Sequence, residues 1–113
     1  MIHSLKKPLI SIITPTLNNK KKLLELVSNI KKQTFKNYEH IIADGGSNDG
    51  TVEYLKNEKL VDKVITFRDL NMYRGINNVL SQCRGSLVGY VNSDDLIIDF
   101  DYFKKIAANF KKH

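Results

Sequence analysis

Apolar residues along this chain follow two alternating rhythms. Short dense runs, such as Leu9-Ile10-Ser11-Ile12-Ile13 and Ile41-Ile42-Ala43, are separated by stretches with an apolar residue every three or four positions. The first rhythm reads as strand buried on both faces, the second as amphipathic helix. Residues 8–14, bounded by two prolines, are the first expected strand. Leu23, Leu24, Leu26, Val27 and Ile30 then recur at helical spacing with lysines opposite, and Asn18 or Asn19 is placed to cap that helix. Residues 38–43 form a second strand. A short helix carrying Val52, Tyr54 and Leu55 starts at Asp49 or Thr51. Residues 64–67 are a third, weaker strand. Tyr73, Ile76, Val79, Leu80 and Cys83 make a third helical stripe, and residues 86–91 a fourth strand. Phe100, Phe103, Ile106, Ala107 and Phe110 mark a C-terminal helix.

Strands alternating with helices imply right-handed crossovers, hence an α/β fold with a mostly parallel sheet of about four strands flanked by helices. Ligands of such sheets bind beyond the carboxyl ends of the strands, where the strand order reverses. Three polar clusters fall at such ends: Thr14-Pro15-Thr16-Leu17-Asn18, the loop from Asp44 to Gly50, and Asn92-Ser93-Asp94-Asp95. In the order 3-2-1-4 all three line one crevice, and a ligand site there is the expectation.

The 113 residues suffice for one domain with one core. Net charge is +6, carried mainly by lysine in short clusters. These clusters suit phosphates or anionic lipid headgroups, yet several fall on polar helix faces, where a solvated surface explains them. No aromatic-rich basic pattern of an RNA-binding sheet accompanies the charge, so nucleic acid is not an expected partner. The single cysteine, Cys83, excludes an intrachain disulfide and reads as packing. The apolar run near the N-terminus is too short and too polar-flanked for a signal peptide. A cytoplasmic protein is expected, at most peripheral at the inner face of the plasma membrane.

The adjacent carboxylates of Asp94 and Asp95 repel one another, and a divalent cation removes that cost. Mg²⁺ typically takes one or two carboxylates together with substrate phosphates, which points to a metal–phosphate site. The alternative is a polar turn built from ordinary turn residues. The first strand is followed by no glycine-rich loop, and the chain carries neither GxGxxG nor GxxxxGK[ST]. A dinucleotide oxidoreductase and a P-loop enzyme are therefore not expected. A nucleoside diphosphate fits better, with a cation at Asp95 and the base and ribose nearer Thr14 and Asp44.

Four segments in order then carry a resemblance: Thr14-Pro15-Thr16-Leu17-Asn18; Gln33-Thr34-Phe35-Lys36-Asn37-Tyr38-Glu39; Ala43-Asp44-Gly45-Gly46-Ser47-Asn48-Asp49-Gly50-Thr51; and Asn92-Ser93-Asp94-Asp95. Together they resemble glycosyltransferase family 2, from about residue 8 to the C-terminal helix. The resemblance implies a Rossmann-like GT-A domain, with residues 1–113 forming the nucleotide-sugar-binding half. It implies Asp95 as the ligand of Mn²⁺ or Mg²⁺ and Asp94 as a contact to ribose or donor sugar. Pro15 and Thr16 would line the base pocket, and Asp44 and Gly45 the loop bordering the nucleoside. Asn77 matches an asparagine that helps order the site, although a solvent-facing role suits it equally. The implied reaction is inverting transfer of a sugar from a nucleotide-diphosphate sugar to a saccharide or lipid-linked acceptor.

The departures matter as well. Leu17 replaces a tyrosine usual in the family's Thr-x-Tyr-Asn segment, which weakens a base contact. Arg74 stands where an aspartate is common, beside the expected donor site; it either binds phosphate or marks lost function or an unengaged surface. Family members are roughly twice as long, and their second half supplies the acceptor pocket and the catalytic base. No residue here is a persuasive base: His3 and His113 lie near the termini, and His40 falls inside a strand. Two readings stay open, a donor-binding glycosyltransferase half or a non-catalytic nucleotide-binding or assembly module. An open edge at strand four implies a homodimer or cover by the C-terminal helix.

Overall fold

The computed structural model describes residues 7–67 and 72–112. His3, His113 and the side chain of Tyr73 lie outside what it describes. Elements alternate as β1 (Ile10–Thr16), α1 (Lys20–Ile30), β2 (Tyr38–Asp44), α2 (Thr51–Asn57), β3 (Lys63–Thr66), α3 (Met72–Ser81), β4 (Leu87–Tyr90) and α4 (Tyr102–Lys112). The strands form one sheet in the order β3-β2-β1-β4, with every pairing parallel.

The dense apolar runs are explained by covering on both faces. Ile10 and Ile12 of β1 pack with Leu26, Ile30 and Phe103, which brings α1 and α4 to one face. On β2, Ile42 joins Leu23, Val27 and Leu55 on that same side. The alternate residues Ile13, Ile41 and Ala43 turn to the other face and meet Ile65 and Val79 of α3. The α1 stripe of Leu23, Leu26, Val27 and Ile30 is fully buried. Each such side chain contributes roughly 1.5–3 kcal/mol by leaving water.

Three boundaries differ from the sequence expectation. β1 runs on to Thr16, so Thr14-Pro15-Thr16 is strand and not loop. Pro15 is tolerated because β4 pairs β1 only as far as Ile13↔Tyr90. Past that point β1 is an edge on one side and needs no donor there. Cys83 lies just beyond α3, half-buried against the Ile13 cluster, and burial pushes its thiol pKa up. Phe100 precedes α4 and is 45% exposed, because the chain there is strapped to α1 before the helix begins.

That strap fixes the segment following Asp95. The Asn29 side chain donates to Ile97 O at 3.0 Å and accepts from Ile97 N at 2.7 Å. Buried Gln33 donates to Asp99 O at 2.8 Å and accepts the Phe103 N–H at 2.9 Å. Gln33 thereby caps the first turn of α4 from another element, satisfying a donor that no helix satisfies internally. Thr34 N–H donates to Phe100 O at 2.9 Å. α4 covers one face of β4 through Phe103 and Ile106, which pack with Leu87 and Val91. On the opposite face Val88 and Tyr90 stay exposed.

Candidate functional site

The sheet order reverses between β1 and β4, and the three polar loops meet at that point. A cleft of about 680 Å³ opens there, lined by Pro15, Thr16, Leu17, Asn18, Asn19, Ala43, Gly45, Phe67 and residues 92–95. Its volume falls in the usual range for small-molecule sites.

Asn18 and Asn19 hold the loops in register. Asn18 adopts a left-handed backbone (φ 48°), which asparagine tolerates better than most residues. Its backbone N–H donates to Ser47 Oγ at 2.9 Å, and its side-chain oxygen accepts Asn48 N–H at 2.8 Å. Asn19 occupies the N-cap position of α1 but makes no side-chain cap. It reaches across the cleft instead, donating to Ser93 Oγ at 3.1 Å and to Asp94 Oδ1 at 2.6 Å. The capping role expected of these asparagines passes to Asp49. One oxygen of Asp49 accepts Lys20 N–H at the start of α1; the other accepts the backbone N–H and hydroxyl of Thr51 at the start of α2. These donors, the Thr51 hydroxyl first, hold the Asp49 carboxyl below its ordinary pKa. Its charge also suits a helix whose first turn carries three lysines and no acid.

Asp44 ends β2 in full burial. Its Oδ2 accepts Gly46 N–H at 3.1 Å and Ser47 N–H at 3.0 Å, which folds the glycine loop back on the strand. Its Oδ1 has no partner, nor has Thr16 Oγ1. The two residues are register neighbours, Thr16↔Asp44, at the floor of the cleft. Buried polar atoms are normally satisfied, so an adjacent unsatisfied pair marks a place prepared for a polar ligand.

At the other end, Asn92, Asp94 and Asp95 are exposed on the cleft wall. Asp95 N–H donates to Asn92 O at 3.0 Å, closing a tight turn. Among the described residues no group of three or more His, Cys, Asp or Glu side chains could hold a metal alone. Two carboxylates beside an open cleft still fit a hard cation that brings phosphate oxygens as its remaining ligands.

Of the residues singled out in the sequence, Pro15, Thr16, Gly45, Asp94 and Asp95 meet at this cleft, with Asp44 beneath it. Arg74 and Asn77 are exposed on α3, and among the described residues neither lines the cleft. His40 is buried; its Nε2 meets Thr14 Oγ1 at 2.8 Å. Burial first, and then the charge of Lys31, lower its pKa to about 4. This fits the structural role expected of it. Sequence reasoning missed Asn19 as a loop bridge, Gln33 as the α4 cap and Phe67 as a cleft wall. The spacing of the first two within motif segments was the available signal, and Phe67 gave none.

The family model for Glycosyl transferase family 2 matches residues 11–113. The chain belongs to glycosyl transferase family 2. Within family 2 it resembles a PGL/p-HBAD biosynthesis glycosyltransferase of Mycobacterium tuberculosis, 29% identical over 110 residues, covering 94% of this chain and 43% of the relative. A GalNAc(5)-diNAcBac-PP-undecaprenol β-1,3-glucosyltransferase of Campylobacter jejuni is 32% identical over 96 residues, covering 80% of this chain and 31% of the relative. The chain thus spans less than half the length of these relatives. Among solved family 2-like structures, S. aureus TarS in complex with UDP superposes with a TM-score of 0.79 at 28% identity, covering 93% of this chain and 32% of TarS. The mannosyltransferase PcManGT of Pyrobaculum calidifontis, solved with GDP-Man and Mn²⁺, shares the fold (TM-score 0.72, 20% identity, 88% of this chain and 31% of that one). The four-stranded 3-2-1-4 sheet is that of the GT-A glycosyltransferases.

Proposed function

We propose that the cleft binds a nucleotide-diphosphate sugar together with Mn²⁺ or Mg²⁺, as the donor half of an inverting glycosyltransferase. The observation that carries this reading is the division of one cleft into two ends. The unsatisfied pair Thr16 Oγ1 and Asp44 Oδ1 lies at one end, beside apolar Pro15, Leu17 and Ala43. The carboxylates of Asp94 and Asp95 lie at the other. A nucleoside suits the first end, and a cation-bound diphosphate the second. When bound, the cation stabilises charge on the departing diphosphate.

The protein's own residues then divide the work. Asp95 holds the cation. Asp94, oriented by Asn19 at 2.6 Å, faces ribose or the donor sugar. Thr16 and Asp44 address the base. The acceptor is a saccharide or a lipid-linked saccharide; the undecaprenol-linked substrate in the name of the Campylobacter relative supports the second. One observation favours a second reading, a nucleotide-binding module without catalysis. Among the described residues, no third carboxylate and no imidazole joins Asp94 and Asp95 on the cleft wall to serve as an acceptor base.

Calorimetry with UDP, GDP and TDP, each with and without Mn²⁺, tests the reading. Metal-dependent binding lost in Asp95→Ala supports it, and binding of no nucleotide refutes it. Transfer or hydrolysis of a donor sugar by this chain excludes the non-catalytic module.

A further inference from the structure

We propose that Phe67 is the stacking platform for the donor's nucleobase, filling in this chain the aromatic role that Leu17 does not supply. The proposal rests on the donor-site reading of the cleft. Phe67 follows β3, and its backbone N–H donates to Asp44 O at 2.9 Å. This anchors it beside the residue whose Oδ1 lacks a partner. Its half-buried side chain lines the cleft with Pro15, Leu17, Ala43 and Gly45, at the end opposite the carboxylates.

The ring is also backed. A Cβ built on Gly75 of α3 would stand 2.6 Å from Phe67 Cδ2 and 2.8 Å from both Cγ and Cε2. Distances this even place the glycine over the face of the ring. An edge-on approach to Cδ2 would leave the flanking carbons much farther away than the nearest one. Only a residue without a side chain lets the helix backbone come this close. One face of Phe67 therefore rests on α3, and the ring surface left over belongs to the cleft. A ring fixed on one side, beside unsatisfied polar atoms, is what a planar heterocycle with hydrogen-bonding edges requires. Leu17, 58% exposed on the same cleft, supplies an aliphatic wall.

Stacking accepts any base, because every base has a π-face. Phe67 therefore adds affinity for the nucleoside without choosing between bases; the choice falls to Thr16 and Asp44. The test is calorimetry of the whole chain with UDP and with GDP, each in the presence of Mn²⁺, across Phe67→Ala, Phe67→Leu, Phe67→Tyr and Phe67→Trp. Alanine is expected to weaken both nucleotides about tenfold or more, the usual effect of removing a stacked aromatic ring. Leucine, which keeps bulk without a π-face, recovers little of the loss, while tyrosine and tryptophan recover most of it. Circular dichroism melts identify variants that are unfolded, and leucine keeps the comparison valid if alanine is one of them. Wild-type affinity in Phe67→Leu overturns the proposal and leaves the donor reading standing. Absence of nucleotide binding by the unmodified chain overturns both.

Discussion

Asn19 donates from its side-chain amide to Asp94 across the mouth of the cleft at 2.6 Å, joining residues 75 positions apart. The same amide reaches Ser93 Oγ at 3.1 Å. Neighbouring Asn18 ties the β1 loop to Ser47 and Asn48 on the other side. One dipeptide thus sets the spacing between the nucleoside end and the carboxylate end of the cleft.

Replacing Asn19 by alanine should therefore injure the site more than the fold. The bond to Asp94 is exposed, so its loss costs global stability no more than about 1 kcal/mol. Affinity for Mn²⁺·UDP is expected to fall several-fold, because Asp94 is no longer oriented. Paired urea melts and titrations check this; an unchanged affinity contradicts the bridging role.

Gln33 should behave in the opposite way. Its side chain is fully buried and satisfies both Asp99 O and the Phe103 N–H. Gln33→Ala leaves both groups unpaired, at roughly 1–3 kcal/mol each. A total loss of about 2–5 kcal/mol in urea unfolding is expected, with α4 exchanging its amide hydrogens earliest. Gln33→Glu at low pH, where the carboxyl is protonated, should recover part of the loss.

His40 gives the fold a pH dependence. Its pKa is lowered from 6.5 to about 4 in the folded protein, chiefly by burial. Between these values the unfolded chain binds the proton and the folded one does not. The stabilisation is therefore complete above pH 6.5 and is lost as pH falls toward 4, by an amount on the order of 3 kcal/mol. Urea midpoints at pH 7 and pH 5 should differ in wild type, and the difference should shrink in His40→Gln.

Asp49 serves two helices at once, through Lys20 N–H and through Thr51. Asp49→Ala is expected to cost about 1–2 kcal/mol, the sum of a strong cap and a weak one. Thermal melts measure it. Asp49→Asn should recover most of the α2 cap and less of the α1 contact, where charge matters more.

Much of this was legible in the sequence because the sheet is covered on both faces. Ile12 and Ile13, like Ile41 and Ile42, must face opposite ways, and such doublets between helical stripes leave few alternatives to a parallel sheet. The three loops could be assigned to one crevice from strand order alone. What could not be read were pairings between distant residues. Gln33 looks like an ordinary polar residue after a helix until Asp99 and Phe103 arrive beside it. Asn19 carries the composition of a helix cap, and its side chain was drawn away by Asp94. Phe67 reads as the last apolar residue of a weak strand; only the approach of Gly75 reveals a backed ring. Pro15 was misjudged for a related reason, since it looks like a terminator but sits where β1 has lost one neighbour.

The central claim is that one cleft receives the nucleoside at Thr16 and Asp44 and the metal at Asp95. Paramagnetic Mn²⁺ reports on it directly. In two-dimensional amide spectra of the labelled chain, substoichiometric Mn²⁺ with UDP should broaden Asn19 and residues 92–95 most strongly. UDP alone should shift Thr16, Gly45 and Phe67, and Lys105 on α4 should be unaffected by either. Broadening centred away from residues 92–95, or broadening that persists in Asp95→Ala, would contradict the account.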